Sequence, residues 1–300
     1  MRVIVTGSTG LIGRSLTGAL RARGDEVVGL VRRAPQGAGE ARWDPAAGQL
    51  DPALLEGADG VVHLAGAGIG DRRWTAGRRR EIVASRVDST ALVARTLARL
   101  ERPPEVLVSA SAVGWYGDRG DEELTEESGA GTGFLAEVCQ AWEEATGEAA
   151  AAGRRVVRLR SGVVLSASGG ALRRQLPLFR LGLGGRLGDG RQWLSWIAVD
   201  DEVGIILHAL EDRSLAGAVN ATAPAPVTNR EFTAALGAVL HRPTVAAVPR
   251  AALRLALGPE LAAEMVLASQ RVLPSRVVAA GYRFRHATVD AALRAVLRGG

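Results

Sequence analysis

The first sixteen residues, MRVIVTGSTGLIGRSL, constrain this 300-residue chain more than any other segment. Arg2–Thr6 is a short run rich in β-branched residues, apolar enough to form a buried strand. Gly7, Gly10 and Gly13 follow at GxxGxxG spacing, with Ser8 and Thr9 between the first two. Leu11, Ile12, Leu16, Ala19 and Leu20 then recur at helical spacing, so one helix face is apolar. A strand turning through such glycines into a helix is the first half of a dinucleotide-binding unit. Gly7 turns the chain off the strand, Gly10 lets backbone approach a pyrophosphate, and Gly13 brings helix and sheet close. The helix N-terminus offers free N–H groups and positive dipole charge to phosphates.

The same alternation continues downstream. Residues 26–31, 59–64, 105–109 and 154–160 read as strands, and residues 81–100 and 132–152 as helices. Strands separated by helices predict an α/β fold, a Rossmann-type doubly wound parallel sheet with helices on both faces. The segments after the strands, 7–13, 32–33, 65–70, 109–116 and 160–165, should converge on one crevice at the carboxyl ends of the strands. Residues 1–165 are expected to form this Rossmann domain, its sheet completed by parts of 190–222. Residues 166–300 are expected to form a smaller, mixed α/β substrate-type lobe. Within that lobe, residues 166–190 read as a loop rich in Gly, Leu and Arg, and residues 192–199 as a strand. Residues 200–210 read as a helix capped by Asp200 or Asp201, and 219–221 as a last sheet strand. Thr228 with Glu231 has the spacing of a capping box, and a short strand is expected near 282–284.

Composition narrows the function. The chain has no lysine, so all 37 basic residues counted as Lys+Arg are arginines. A net charge of +5 could suggest nucleic acid, but the arginines are scattered except in DRRWTAGRRR at 71–80. No nucleic-acid module accompanies that patch, so neither nucleic acid nor a membrane is expected as a partner. The single cysteine, Cys139, excludes an internal disulfide and fits a reducing, cytoplasmic setting. It lies among Phe134, Leu135, Val138 and Trp142, the pattern of a helix core. No signal peptide is expected before the first strand, and no apolar run is long enough to cross a bilayer. His63 falls inside a strand and reads as core; the other histidines lack metal-ligand spacing, so no metal site is expected.

Cofactor choice is read at the end of the second strand. NAD selection usually places a carboxylate there, on the adenosine ribose. Here the strand ends Gly29-Leu30-Val31-Arg32-Arg33. A guanidinium matches a 2′-phosphate, so NADP(H) is favoured over NAD(H).

The motifs GSTGLIG, VVHLAG at Val61–Gly66 and SASAVGWYG at Ser109–Gly117 resemble extended short-chain dehydrogenase/reductases. RWDP at 42–45, FLAEVCQAWE at 134–143, GDGRQWLSWI at 188–197, PVTNREF at 226–232 and SQRVLPSR at 269–276 are similar to one atypical branch. That branch is the "epimerase family" of NAD(P)-binding proteins with a C-terminal extension of unknown function, some labelled cell-division-inhibitor-like. The resemblance spans essentially the whole chain. It implies cofactor contacts from Gly7, Ser8, Thr9, Gly10, Leu11, Ile12, Gly13, Arg32, Arg33, Leu64, Ala65, Gly66, Ser109, Ala110 and Arg160.

The catalytic pattern of that superfamily is incomplete here. It normally couples a serine with a YxxxK helix, in which tyrosine exchanges the proton and lysine lowers its pKa. This chain has Phe134-Leu-Ala-Glu-Val138 at that place, and no lysine elsewhere to substitute. The position often held by asparagine is Arg86, and the family-like SWIH becomes Ser195-Trp196-Ile197-Ala198. Ser111 survives by position, and Tyr116 lies just beyond it. These two are the candidate catalytic residues, with Arg86 or Arg160 as a replacement for the lysine field. Two functions follow as expectations. One is an NADP(H)-dependent epimerase or oxidoreductase acting on an unknown small molecule through non-standard residues. The other is a non-catalytic NADP(H)-binding regulatory or redox-sensing protein, its link to cell division resting on the family label. A homodimer is the assembly such folds commonly adopt.

Overall fold

A computed structural model describes residues 1–298. Its centre is a seven-stranded sheet built from β1 (Arg2–Thr6), β2 (Glu26–Val31), β3 (Glu40–Arg42), β4 (Gly60–His63), β5 (Val106–Ala112), β6 (Arg155–Ser161) and β7 (Gly217–Ala221). The spatial order is β7-β6-β5-β4-β1-β2-β3, and every pairing is parallel. The order reverses at β1, where the chain moves outwards through β2 and β3 and then returns through β4. This reversal is the switch point at which doubly wound sheets open a crevice.

The two-residue period of the strands divides the core. Val3 and Val5, Val62, Val106 and Val108, and Val157 and Leu159 face one side. There they pack under α1 (Leu11–Ala22), through Leu16 and Leu20, and under Ile205, Ile206, Ala209 and Leu210 of a later helix. Ile4, Val61, Leu107 and Val156 face the other side, against Leu92, Val93 and Leu97 of α2 (Ala76–Ala98). Burial on both faces explains why these strands read as continuous apolar runs.

Several boundaries differ from the sequence reading, for local reasons. The helix expected at 132–152 is two: α3 (Phe134–Glu144) and a short turn of helix at Gly147–Ala151. The Thr146 hydroxyl donates back to the Glu143 carbonyl at 2.6 Å, and Gly147 follows, so the run breaks. The stretch expected as a loop contains α4 (Gly170–Arg180), whose Leu172, Leu176 and Phe179 are buried on one face. The strand expected at 192–199 is two short strands outside the large sheet. Trp193–Leu194 pairs antiparallel with Val227–Thr228, and Trp196–Ala198 pairs parallel with Val163–Leu165. Of 190–222, only β7 joins the large sheet.

The helix α5 (Val199–Glu211) starts at Ala198 without a side-chain cap. Asp201 instead accepts hydrogen bonds from the Tyr282 hydroxyl (3.0 Å) and the backbone N–H groups of Arg285 (2.7 Å) and His286 (3.0 Å). The Tyr282 N–H donates instead to the Val277 carbonyl at 3.0 Å, closing the turn after the short helix at Ser275–Ala279, and 282–284 forms no strand. The capping box at Thr228 and Glu231 does form, starting α6 (Asn229–Leu240). Leu165, Leu172, Phe179, Trp196, Phe232 and Leu236 make a separate core with Leu293 of α7 (Val289–Arg298). No described helix is long and apolar enough to cross a membrane.

Candidate functional site

The crevice opens beyond the carboxyl ends of β2, β1, β4 and β5. Gly7 sits at φ +66°, and a Cβ there would stand 2.7 Å from the Leu64 carbonyl oxygen. A Cβ on Gly13 would collide with the Gly7 carbonyl. Side chains at either position would therefore push the loop off β4 or lift α1 from the sheet. Gly10 is the N-cap of α1, with no side-chain cap and no acidic residue in the first turn. The first N–H groups of this helix, at Leu11 and Ile12, thus keep their donors and their positive dipole end for an anion. Ser8 packs its hydroxyl over Gly29 of β2, and Thr9 lies exposed beside it. These residues fit a dinucleotide pyrophosphate: the turn is too tight for a Cβ at Gly7 or Gly13, and the N–H groups of Leu11 and Ile12 have no backbone partner among the described residues.

The opposite wall, Leu64 to Ala67, is pinned from beneath. The Thr6 hydroxyl oxygen accepts from the N–H groups of Leu64 (3.1 Å) and Ala65 (3.2 Å). Its own proton must then go to His63 Nδ1, 2.8 Å away. His63 Nε2 consequently carries the imidazole proton and donates to Ser89 Oγ at 3.1 Å, while Ser89 donates to the Ser85 carbonyl at 2.8 Å. Burial holds His63 neutral, its pKa pushed down to about 4. Ser85 Oγ accepts from the Ala67 N–H at 3.1 Å. His63 is a core support for the crevice wall, as its place in a strand predicted.

Arg32 and Arg33 follow β2 and are both exposed. They are not equivalent. Arg33 is held by Glu40 of β3 in a two-pronged pair at 2.6 and 2.8 Å. Arg32 enters no ion pair among the described residues, so its guanidinium is the one presented at the end of β2.

Ser111, Tyr116 and Arg160 are brought together, but away from solvent. Ser111 donates to Glu143 Oε1 at 2.7 Å. Arg160 clasps Glu143 through Nε (2.7 Å) and Nη2 (2.9 Å), donates through Nη1 to the Tyr116 hydroxyl (3.0 Å), and stacks on Trp115. Tyr116 in turn donates to Asn220 Oδ1 at 2.7 Å. Tyr116 is 0% exposed and Arg160 3% exposed. Burial raises the phenol pKa above its ordinary value, against the lowering effect of Arg160. Tyr116 and Ser111 were expected to handle a substrate oxygen, and Arg160 to touch the cofactor. Each has its polar atoms hydrogen-bonded within the protein, Ser111 and Arg160 to Glu143 and Tyr116 to Asn220. Ser109 is likewise buried, while Ala110 is half-buried beside it.

The helix that would carry a Tyr–Lys pair has a different chemistry. Phe134 and Val138 are buried with Ile82 and Leu135, and Phe134 packs edge-on against Trp74 with ring centroids 5.0 Å apart. The first two N–H groups of α3 donate to Glu264 of the C-terminal lobe, at 3.1 and 2.7 Å. Glu137 is exposed. Cys139 is buried, with its thiol pushed up to about 12, so it is a packing residue. The arginines of 71–80 are largely engaged by the protein: Arg73 with carbonyls of 255–256, Arg78 with Glu81, and Arg79 with Glu260 and the Phe134 ring. Glu143, Asn220 and Glu264 were not singled out in the sequence. Their partners lie 32, 104 and about 130 residues away, so no local spacing marked them.

This fold and cradle define a nucleotide-binding α/β protein. The profile of the NAD dependent epimerase/dehydratase family matches residues 3–221, and that of a domain of unknown function (DUF1731) matches residues 248–296. Epimerase family protein Mb2239 of Mycobacterium bovis is 46% identical over 291 residues, spanning 97% of this chain and 96% of that protein. The crystal structure of human epimerase family protein SDR39U1 (isoform 2) with NADPH superposes with a TM-score of 0.90 at 36% identity, over 99% of each chain. A nucleoside-diphosphate sugar epimerase from Corynebacterium glutamicum matches with a TM-score of 0.79 at 42% identity, over 98% of this chain and 57% of that one. The chain belongs to the NAD dependent epimerase/dehydratase family, with the C-terminal extension of its SDR39U1-like members.

Proposed function

We propose that this protein binds NADP(H) in the crevice between the Gly7–Gly13 turn and the Leu64–Gly66 wall, and prefers it to NAD(H). The observation that carries this reading is Arg32. It is exposed, and without an ion pair among the described residues, at the end of β2, where an NAD-selective site would place a carboxylate. The human relative solved with NADPH supports the same cofactor. Leu11 and Ile12 at the helix N-terminus, with Gly10, would hold the pyrophosphate, and Arg32 the 2′-phosphate. Bound there, the cofactor supplies hydride chemistry at its nicotinamide ring.

The reaction class we assign is that of an oxidoreductase or epimerase-like protein acting on a small molecule, without the standard proton relay. Ser111 and Tyr116 act as positioning residues: through Glu143, Arg160 and Asn220 they lock the ends of β5, β6 and β7 beneath the site. A second reading has its own observation. Phe134 and Val138 form part of a closed apolar cluster, which suits a protein that holds NADP(H) and reports its redox state without turning it over. A reducing, cytoplasmic setting suits a chain whose one thiol is buried. Fluorescence titration with NADPH and NADH tests the cofactor, and NADPH consumption across a carbonyl substrate panel separates the two readings.

A further inference from the structure

Among the described residues three arginines are nearly fully buried, and they differ in their partners. Arg160 is clasped by Glu143. Arg78 pairs with Glu81 and donates to the Gly68 carbonyl. Arg86, two turns further along α2, pairs with no carboxylate among the described residues. It is 7% exposed. Its Nη1 donates to the Ile82 carbonyl at 3.2 Å, as a side chain bonding back along its own helix, and its Nε has no partner. No hydrogen bond to another described residue occupies Nη2. Cys139, whose thiol field is nearest, is held protonated by burial and so offers no balancing charge.

A guanidinium stripped of water and left uncompensated is costly to keep in a fold. Arg86 nevertheless remains charged at neutral pH, its pKa lowered by burial only to about 10. Its surroundings hold it in place and do not neutralise it. Its guanidinium carbon lies over the Trp142 ring, 4.9 Å from the centroid. A Cβ added at Gly66 would stand 3.4 Å from the guanidinium carbon and 3.5 Å from Nη2. Trp142 is itself fixed by its Nε1–H donating to Thr90 at 2.9 Å. With Nη1 turned back to the Ile82 carbonyl, Nη2 is the donor left beside Gly66, which is exposed.

Gly66 follows β4, which lies between β1 and β5 in the sheet. Arg32 follows β2, on the far side of β1. The two guanidinium groups without a carboxylate partner among the described residues therefore belong to opposite sides of the glycine turn. A 2′-phosphate held at Arg32 leaves Arg86 without an anion.

We propose that Arg86 is the anchor for an anionic group, a carboxylate or phosphate, on the small molecule that binds beside the cofactor at Gly66. This deepens the cofactor reading by giving the second ligand a charge, and it rests on that reading for the ligand's neighbour. The fork-shaped donors of a guanidinium are suited to oxyanions.

The test is calorimetric titration of the full chain, nucleotide-free and NADPH-saturated, with inorganic phosphate and with malonate. Malonamide serves as the uncharged control. The variants are Arg86→Gln and Arg86→Lys, with thermal unfolding to verify that each is folded. The expected result is that phosphate or malonate binds the NADPH-saturated wild type and malonamide does not. Arg86→Gln weakens that binding about tenfold or more, the effect of one lost charge-assisted pair, and Arg86→Lys recovers part of it. NADPH affinity changes less than about threefold in either variant. The proposal is overturned if neither anion binds the NADPH-saturated wild type, or if the affinity survives in folded Arg86→Gln. It is equally overturned if Arg86→Gln weakens NADPH itself about tenfold, since Arg86 would then belong to the cofactor. If the wild type fails to bind NADPH, the cofactor reading fails separately. Arg86 is then judged on the nucleotide-free protein by whether anion binding falls in Arg86→Gln.

Discussion

Arg33 and Glu40 face each other across the edge of the sheet and bond through both guanidinium ends, at 2.6 and 2.8 Å. This pair removes one of two adjacent arginines from the cofactor site and leaves the other available. Arg32→Ala should therefore weaken NADPH binding about tenfold or more, with little change for NADH. Arg33→Ala should shift NADPH affinity less than about threefold. Parallel fluorescence titrations of the two single variants measure both effects, and equal losses would contradict this division of roles.

The buried clasp between Glu143 and Arg160 carries a stability prediction. Glu143→Gln leaves Arg160 charged and only partly bonded, and removes the carboxylate that Ser111 donates to. The expected loss is about 3 kcal/mol or more, as for other buried pairs with one partner removed. Urea unfolding of the variant reads it directly. A loss under about 1 kcal/mol would mean that the network is not holding β5 to β6.

Two buried groups give opposing pH dependences. His63 has its pKa lowered to about 4, so its contribution is complete above the ordinary histidine value and is lost as pH falls towards 4. Glu202, whose Oε1 accepts from Ser161 at 2.5 Å, has its pKa raised to about 7 by burial. Its contribution is complete below the ordinary carboxylate value and is lost as pH rises through 7. In the wild type the two slopes oppose each other between about pH 4.5 and 6.5. Glu202→Gln removes one of them. Its stability relative to wild type should rise from pH 5 to pH 8, by up to about 3 kcal/mol. Denaturation midpoints at the two pH values report this; a pH-independent difference would show that Glu202 does not carry that shift.

Val138 occupies the place of the lysine in the standard relay, but it lies in an apolar cluster with Ile82, Phe134 and Leu135. Writing the pair back in as Phe134→Tyr with Val138→Lys should lower stability by about 2 kcal/mol or more, through a buried ammonium without a partner. Thermal unfolding measures that loss. A double variant as stable as wild type would show that the helix still has room for the relay.

Much of the scaffold was legible because it depends on short-range pattern. The β-branched runs, the apolar stripe of α1 and the Thr228–Glu231 box all follow from spacings of two to four residues. The glycine turn was legible for the same reason. Elements that depend on distant partners were not. Asp201 had the look of a cap, yet its donors come from 282–286. The helix α4 was hidden because Gly170 and Pro177 mask the stripe of Leu172, Leu176 and Phe179. In the site, Arg32 and Arg33 looked alike until Glu40 was placed beside one of them. Tyr116 looked open to a substrate until Asn220, from the far edge of the sheet, was found on its hydroxyl.

The central claim is that the glycine turn and Arg32 select NADP(H). Its most direct measurement is the ratio of dissociation constants for NADPH and NADH on the wild-type chain, by fluorescence titration at fixed ionic strength. The account predicts NADPH binding tighter by about tenfold or more, and a ratio that falls towards one in Arg32→Ala. Equal affinities in the wild type, or a preference for NADH, would contradict it.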